Sequence, residues 1–219
     1  MKRGAWLILL LIAYSCGFAQ VPGYLGKRVV VGAGLHAWPA LLRAERLAEV
    51  GLNVRYSFQG EYVLSRAQSI YAQYSLFNTS YEYENDGRTG EASIAADGYE
   101  IGFRFYSFQR RGNLAPQGWH QQVGLRFLPY SVKDVDLNFI PGEENLGSFR
   151  DFVITYGIGD QRIIHPVLVY YFNLQGGWLL NAFPNQSSLE ARQIKSQATG
   201  RLRTFSFFHL SMGLGFILG

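Results

Sequence analysis

The chain has 219 residues, 16% of them charged and 16% aromatic, with 25 glycines and 7 prolines. Charge this sparse and aromatics this frequent exclude a disordered chain, a coiled coil and a helical bundle, and suit a sheet, whose pleated surface takes aromatic side chains while glycine serves turns and close approaches. The formal net charge of +4 comes without a Lys/Arg cluster, which gives no support to nucleic-acid binding, and no linker-like stretch divides the chain.

Residues 1–19 read as a secretory signal peptide. Lys2 and Arg3 form a basic start, Ala5 to Ala13 is a continuous apolar run, and Gly17-Phe18-Ala19 is a small-x-small site before Gln20. A transmembrane helix needs about 20 apolar residues, so this run is too short for one. The alternative is a lipoprotein acylated at Cys16, although Ala13 stands where such sites carry Leu or Val. The remaining domain, residues 20–219, has 18 basic and 16 acidic residues, a net charge of +2, and no cysteine. Disulfides, thiol catalysis and cysteine-based metal sites are thereby excluded, and no cofactor is expected.

Apolar residues then recur at period two, the spacing of a strand with two unlike faces. The first such stretch is 28–38. In 52–64, Leu52, Val54, Tyr56, Phe58, Tyr62 and Leu64 alternate with Asn53, Arg55, Ser57, Gln59 and Glu61. A weaker stretch at 69–79 precedes 99–108, where Tyr99, Ile101, Phe103 and Phe105 oppose Glu100, Gly102, Arg104 and Tyr106. The pattern returns at 121–130, 151–158, 164–178 and 205–217, the last setting Phe208, Leu210, Met212, Leu214 and Phe216 against His209, Ser211, Gly213 and Gly215. The joins near 65–68, 110–117 and 159–162 read as short, and those near 39–50, 83–97, 131–146 and 184–200 as long and polar. In a meander this alternation sends every long loop to one end and both termini to the other, the asymmetry of a bacterial outer-membrane barrel.

The expected fold is therefore all-β, an eight-stranded antiparallel up-and-down transmembrane β-barrel. A soluble barrel is apolar inside, whereas a membrane barrel faces lipid with its apolar side and encloses a polar interior. The aromatic load, the low charge and tryptophans at strand ends (Trp38, Trp119 and Trp178), where an aromatic girdle lies, favour the membrane form.

Three segments carry a family likeness: Gln20-Val21-Pro22-Gly23-Tyr24-Leu25-Gly26-Lys27-Arg28, Glu61-Tyr62-Val63-Leu64-Ser65-Arg66 and Ala115-Pro116-Gln117-Gly118-Trp119. With them the chain resembles a family of small Gram-negative outer-membrane β-barrel proteins, of OmpA or OmpX size. The resemblance implies integral outer-membrane location and barrel fold, with no activity to carry over. It departs at the end, since such barrels commonly finish on an aromatic and this chain finishes Phe216-Ile217-Leu218-Gly219.

Eight strands leave room for side chains but not for a wide aqueous pore. Arg55, Glu61, Glu100, Arg104, Arg126, Asp151 and His209 are candidates for a charged lumen network. Gly32, Gly34, Gly213 and Gly215 of the first and last strands form a glycine wall, read as making space for long side chains such as Arg104 and Arg126. A packed polar plug is the expectation, with a narrow proton or ion path as the alternative. His209-Leu210-Ser211 resembles the His-x-Ser of lipid A deacylases, but no acidic residue follows Glu190, so the pair reads as two polar lumen residues. His36, His120 and His165 lack metal-ligand spacing. Asp134-Val135-Asp136-Leu137-Asn138 opens like a calcium loop, then has Phe139 where Gly is needed and Asn145 where a bidentate Glu would close the site; Glu143 and Glu144 could add to a weak cation site. Residues 41–49 could form a short helix on the first loop.

The functional expectation is a non-enzymatic outer-membrane scaffold. Its four surface loops would face outward and both termini the periplasm. The expected partners are outer-membrane lipid, the barrel assembly machinery and an envelope or extracellular partner met through the loops, with no nucleic acid. A lipid-modifying enzyme and a narrow conductance are the competing classes.

Overall fold

The computed structural model describes residues 26–40, 51–85, 88–106, 115–136, 144–180, 194–196, 198 and 209–218. The expected signal peptide, the cleavage site and the 41–49 helix lie outside them. Eight strands form: β1 (Val29–Ala40), β2 (Gly51–Val63), β3 (Gln68–Asn85), β4 (Arg88–Tyr106), β5 (Gly118–Asp134), β6 (Asn145–His165), β7 (Leu168–Leu180) and β8 (His209–Leu218). Each pairs antiparallel with the next, and β8 pairs with β1 to close the barrel.

The alternation in the sequence becomes two faces of opposite chemistry. Outward-pointing Tyr56 is 65% exposed and Phe216 59%, whereas Arg55 and Arg104 on the inner face are fully buried. On β4 the outer face runs Tyr99, Ile101, Phe103 and Phe105, and on β8 Met212, Leu214, Phe216 and Leu218, all exposed. Four or five outward apolar residues per strand correspond to the 9–11 residues that a tilted strand needs to cross a bilayer core.

Above that belt four strands continue. β3 to β6 are 18, 19, 17 and 21 residues long, against 12, 13, 13 and 10 for β1, β2, β7 and β8. Beyond Leu76 the outer face of β3 turns polar at Asn78, Ser80 and Glu82, and beyond Tyr99 that of β4 reads Asp97, Ala95, Ser93 and Glu91. The inner face stays apolar: Ala92, Ile94, Ala96, Leu128, Tyr130, Val132, Leu146 and Phe149 form one buried cluster, joined by Ile194 and Ala198 of a helical turn between β7 and β8. Leu146 belongs to it because the β5/β6 register shifts beside Val132 and Lys133, a bulge whose neighbour Gly147 sits at φ +140. The extra residue turns Leu146 from the outer face to the inner one.

This corrects the expectation for the loops. Residues 83–85 and 88–97 are strand, as are 131–134 and 145–146, since their polar residues face water from an upright sheet. Only residues 86 and 87 separate β3 from β4, whereas 107–117 separate β4 from β5. The joins 41–50, 135–144 and 181–208 at the wall end remain long, and 64–67 and 166–167 at the other end short, so strand length adds to loop length in distinguishing the two ends. The turn expected at 159–162 lies inside β6, and the chain reverses at Pro166 and Val167.

Candidate functional site

The inner face gathers its polar side chains at mid-barrel, between apolar packing at both ends. At the short-turn end Val30, Val169 and Ile217 cluster, as do Val63, Tyr106 and Ala115; at the other end lies the cluster under the 194–198 turn. A buried ion must be paired and its remaining hydrogen-bonding capacity filled, and two carboxylates in the lumen meet that requirement in full.

Glu61 of β2 accepts from Arg104 Nη1 (2.7 Å), Ser69 Oγ (2.5 Å), Tyr106 OH (2.7 Å) and Gln161 Nε2 (3.2 Å). Arg104 in turn donates through Nη2 to Gln59 Oε1 (2.9 Å) and through Nε to Gln122 Oε1 (3.2 Å), with its Cζ 4.8 Å from the centre of the Tyr71 ring. Glu100 of β4 accepts from Arg126 Nε (2.7 Å), Tyr71 OH (2.6 Å), Thr155 Oγ1 (2.8 Å) and Gln175 Nε2 (2.6 Å). Arg104 therefore pairs with Glu61 across 43 positions of sequence, and its neighbour Glu100 belongs to Arg126.

A third group surrounds Arg55. Its Nη2 lies 3.0 Å from His36 Nδ1 and 3.0 Å from His209 Nε2, and the two imidazoles sit 5.2 Å apart. His36 Nε2 meets Ser57 Oγ at 2.7 Å and Gln73 Nε2 at 3.2 Å. His209 Nε2 also lies 2.8 Å from Gln175 Oε1. His209 and Ser211 share the inner face, and the histidine lies against Arg55 and Gln175.

The remaining expected residues fall elsewhere. Asp151 is at the upper mouth, 3.5 Å from Lys195. His120 meets Asn173 Oδ1 at 2.9 Å on another part of the inner face, and His165 is exposed at the β6–β7 turn. Asp134 ends β5 and Asp136 Oδ2 accepts from the Glu91 backbone N–H (2.7 Å), so both serve the backbone; among the described residues no group of three or more acidic or histidine side chains could hold a metal. At the same rim the Lys133 ammonium, 2.9 Å away, holds the Glu144 carboxyl below the usual carboxylate range. The Trp38 side chain lies outside the description.

The glycine wall exists, with Gly32 opposite Gly215 and Gly34 opposite Gly213, but its occupant is not an arginine. A Cβ at Gly34 or Gly213 would overlap the Tyr171 hydroxyl, and Tyr171 is the side chain that uses the space. Sequence reasoning missed a second wall of the same kind. Gly102 faces Gly124 across β4 and β5, and a Cβ at Gly124 would stand 2.6 Å from the Tyr71 hydroxyl and 2.8 Å from Thr155 Oγ1.

The two walls repeat one register pattern. Tyr71 pairs with Gly102, Gly102 with Gly124, and Gly124 with Thr155. Four strands further round, Tyr171 pairs with Gly213, Gly213 with Gly34, and Gly34 with Ser57. Beside the first row stand Glu100 and Arg126; beside the second, at equivalent positions, stand Ser211 and His36. The Tyr71 hydroxyl thus meets a carboxylate, whereas the buried Tyr171 hydroxyl has the Ser57 side chain beside it.

No protein-family profile matches the chain, and no curated protein matches it. Solved structures do. The N-terminal β-barrel domain of Pseudomonas aeruginosa OprF aligns over 88% of this chain and 98% of its own, with 10% identity and a TM-score of 0.49. Ail of Yersinia pestis, in complex with the heparin analogue sucrose octasulfate, aligns over 88% and 97% with 11% identity and a TM-score of 0.45. Neisserial surface protein A aligns over 87% and 97% with 9% identity and a TM-score of 0.41. At these scores the likeness is one of barrel architecture and extends no further.

Proposed function

We propose that this chain is an integral outer-membrane β-barrel with a non-enzymatic role, a rigid membrane-embedded scaffold that holds the β3–β6 wall and its adjoining loops outside the cell and both termini in the periplasm. One observation carries the reading: ionised side chains are buried inside while Tyr, Phe, Ile and Leu stand exposed in a belt outside, an inversion that only a lipid surround makes favourable. The lumen supports a scaffold rather than a conduit, because paired ions fill its middle and apolar side chains pack both ends. The partners proposed are outer-membrane lipid, the assembly machinery that inserts barrels, and an envelope or extracellular molecule met through the wall and loops.

Whole-cell labelling tests the location and orientation together. Single cysteines at Gly87, Gly142 and Gln186 are expected to react with a membrane-impermeant maleimide in intact cells, and cysteines at Arg66 and Gly112 only after the envelope is opened. The opposite pattern would invert the barrel, and release of the protein with the soluble periplasmic fraction would overturn the membrane reading.

A further inference from the structure

Charge is distributed unevenly between the two ends of the barrel. At the short-turn end the described charged residues are Lys27, Arg28, Arg66 and Arg162 with a single acid, Asp160; at the wall end they are Glu82, Glu84, Glu91, Asp97, Asp134, Asp136, Glu144 and Asp151 against Arg88, Lys133, Arg150 and Lys195. A domain of net charge +2 does not require this separation.

The basic residues sit where the apolar belt stops. On β1 the outer face runs Leu35, Ala33, Val31 and Val29, and its next position is Lys27; on β6 it runs Ile154, Tyr156 and Ile158, then Asp160 and Arg162. Arg66 lies in the β2–β3 turn, two residues past the exposed Leu64. The Arg28 carbonyl accepts from Val63 N–H and the Arg66 carbonyl from Ala115 N–H, which sets the β1 start beside the β2 end and ties the turn to the β5 lead-in. Aromatic side chains mark the same level: Trp119 is directly opposite Asp160 in register, and Tyr170 opposite Arg162. Asp160 holds Arg162 through Nε, leaving the rest of the guanidinium fork to face outward.

We propose that this rim is a binding surface for the phosphate groups of anionic phospholipids such as phosphatidylglycerol. Long basic side chains just past an aromatic border reach the headgroup layer while their stems stay against the belt. Lys27 and Arg162 continue the lipid-facing side of their strands, which favours lipid over an acidic protein docking end-on. The inference rests on the membrane reading above and adds a lipid class and a leaflet to it.

Trp119 supplies the probe. The mature barrel, with Trp38 and Trp178 replaced by Phe, is inserted in phosphatidylcholine vesicles containing either brominated phosphatidylcholine or brominated phosphatidylglycerol, and quenching is compared. Anionic attraction near a membrane surface is worth about fivefold per basic residue. The expected result is therefore a severalfold preference for phosphatidylglycerol at low salt that shrinks as salt rises and disappears in the Lys27→Gln, Arg66→Gln, Arg162→Gln triple variant. Equal quenching by the two lipids, or a preference that survives the triple variant or is indifferent to salt, would overturn the lipid surface while leaving the barrel reading intact. Quenching by neither lipid, with the protein remaining outside the vesicles, would overturn both.

Discussion

Replacing a residue in the lumen has a cost set by what is left behind. Arg104→Ala is expected to destabilise the barrel by about 3–5 kcal/mol, because Glu61 would keep three neutral donors and lose its counter-ion; the urea midpoint in lipid vesicles measures it. Glycines separate into two kinds. Gly213→Ala must move Tyr171 and is expected to cost about 1–3 kcal/mol, whereas Gly60 points outward with open space around its Cβ, so Gly60→Ala should leave the midpoint unchanged. The repeated row supports a sharper test. Ser211→Glu and His36→Arg together rebuild at Tyr171 the pair that Glu100 and Arg126 form at Tyr71. The double variant should be more stable than the sum of its two single costs allows, with a coupling on the order of 1 kcal/mol or more, and strict additivity in the denaturation midpoints would refute the equivalence. The faces of Glu61, Glu100 and Arg104 were legible from period two, since alternation alone puts them on one side. Their pairing was not: Glu61 lies on β2 and Arg104 on β4, and which carboxylate a guanidinium reaches depends on strand tilt and stagger, which no local pattern records.

For strands the same limit appears at the ends. Segment 83–97 reads as loop because Glu91, Ser93 and Asp97 are polar, yet these face water from the outer side of β4 while Ala92, Ile94 and Ala96 close against β5 within. Gly159-Asp160 reads as a turn, but Gly159 is an inward glycine that clears space for Asn173 and His120. Both misreadings come from treating polarity and glycine as signs of a loop where they reflect which medium a face meets. The wall implies that accessibility follows the strand face: cysteines at Ser80 and Glu82, although in a strand, should label in intact cells as readily as one at Gly87, and cysteines at Ile101 or Leu125 should resist a water-soluble maleimide even after the envelope is opened. The turn at 194–198 covers the inner side of that wall, so Ile194→Asp should make the bond after Lys195 more sensitive to trypsin while the urea midpoint of the barrel stays put. Unchanged cleavage would mean that the apolar cluster holds without its Ile194 cover.

At the scale of the whole molecule the repeated rows connect β1 with β5, β2 with β6, β3 with β7 and β4 with β8, through Gly34 and Gly124, Ser57 and Thr155, Tyr71 and Tyr171, and Gly102 and Gly213. The two seams where the first four strands meet the last four, β4 to β5 and β8 to β1, are both closed by a glycine pair lying under a tyrosine. A seam of that kind carries its own instructions for docking and does not need the covalent link between the halves. Two separate polypeptides, divided within residues 107–114, should therefore find each other in a bilayer and close into the barrel.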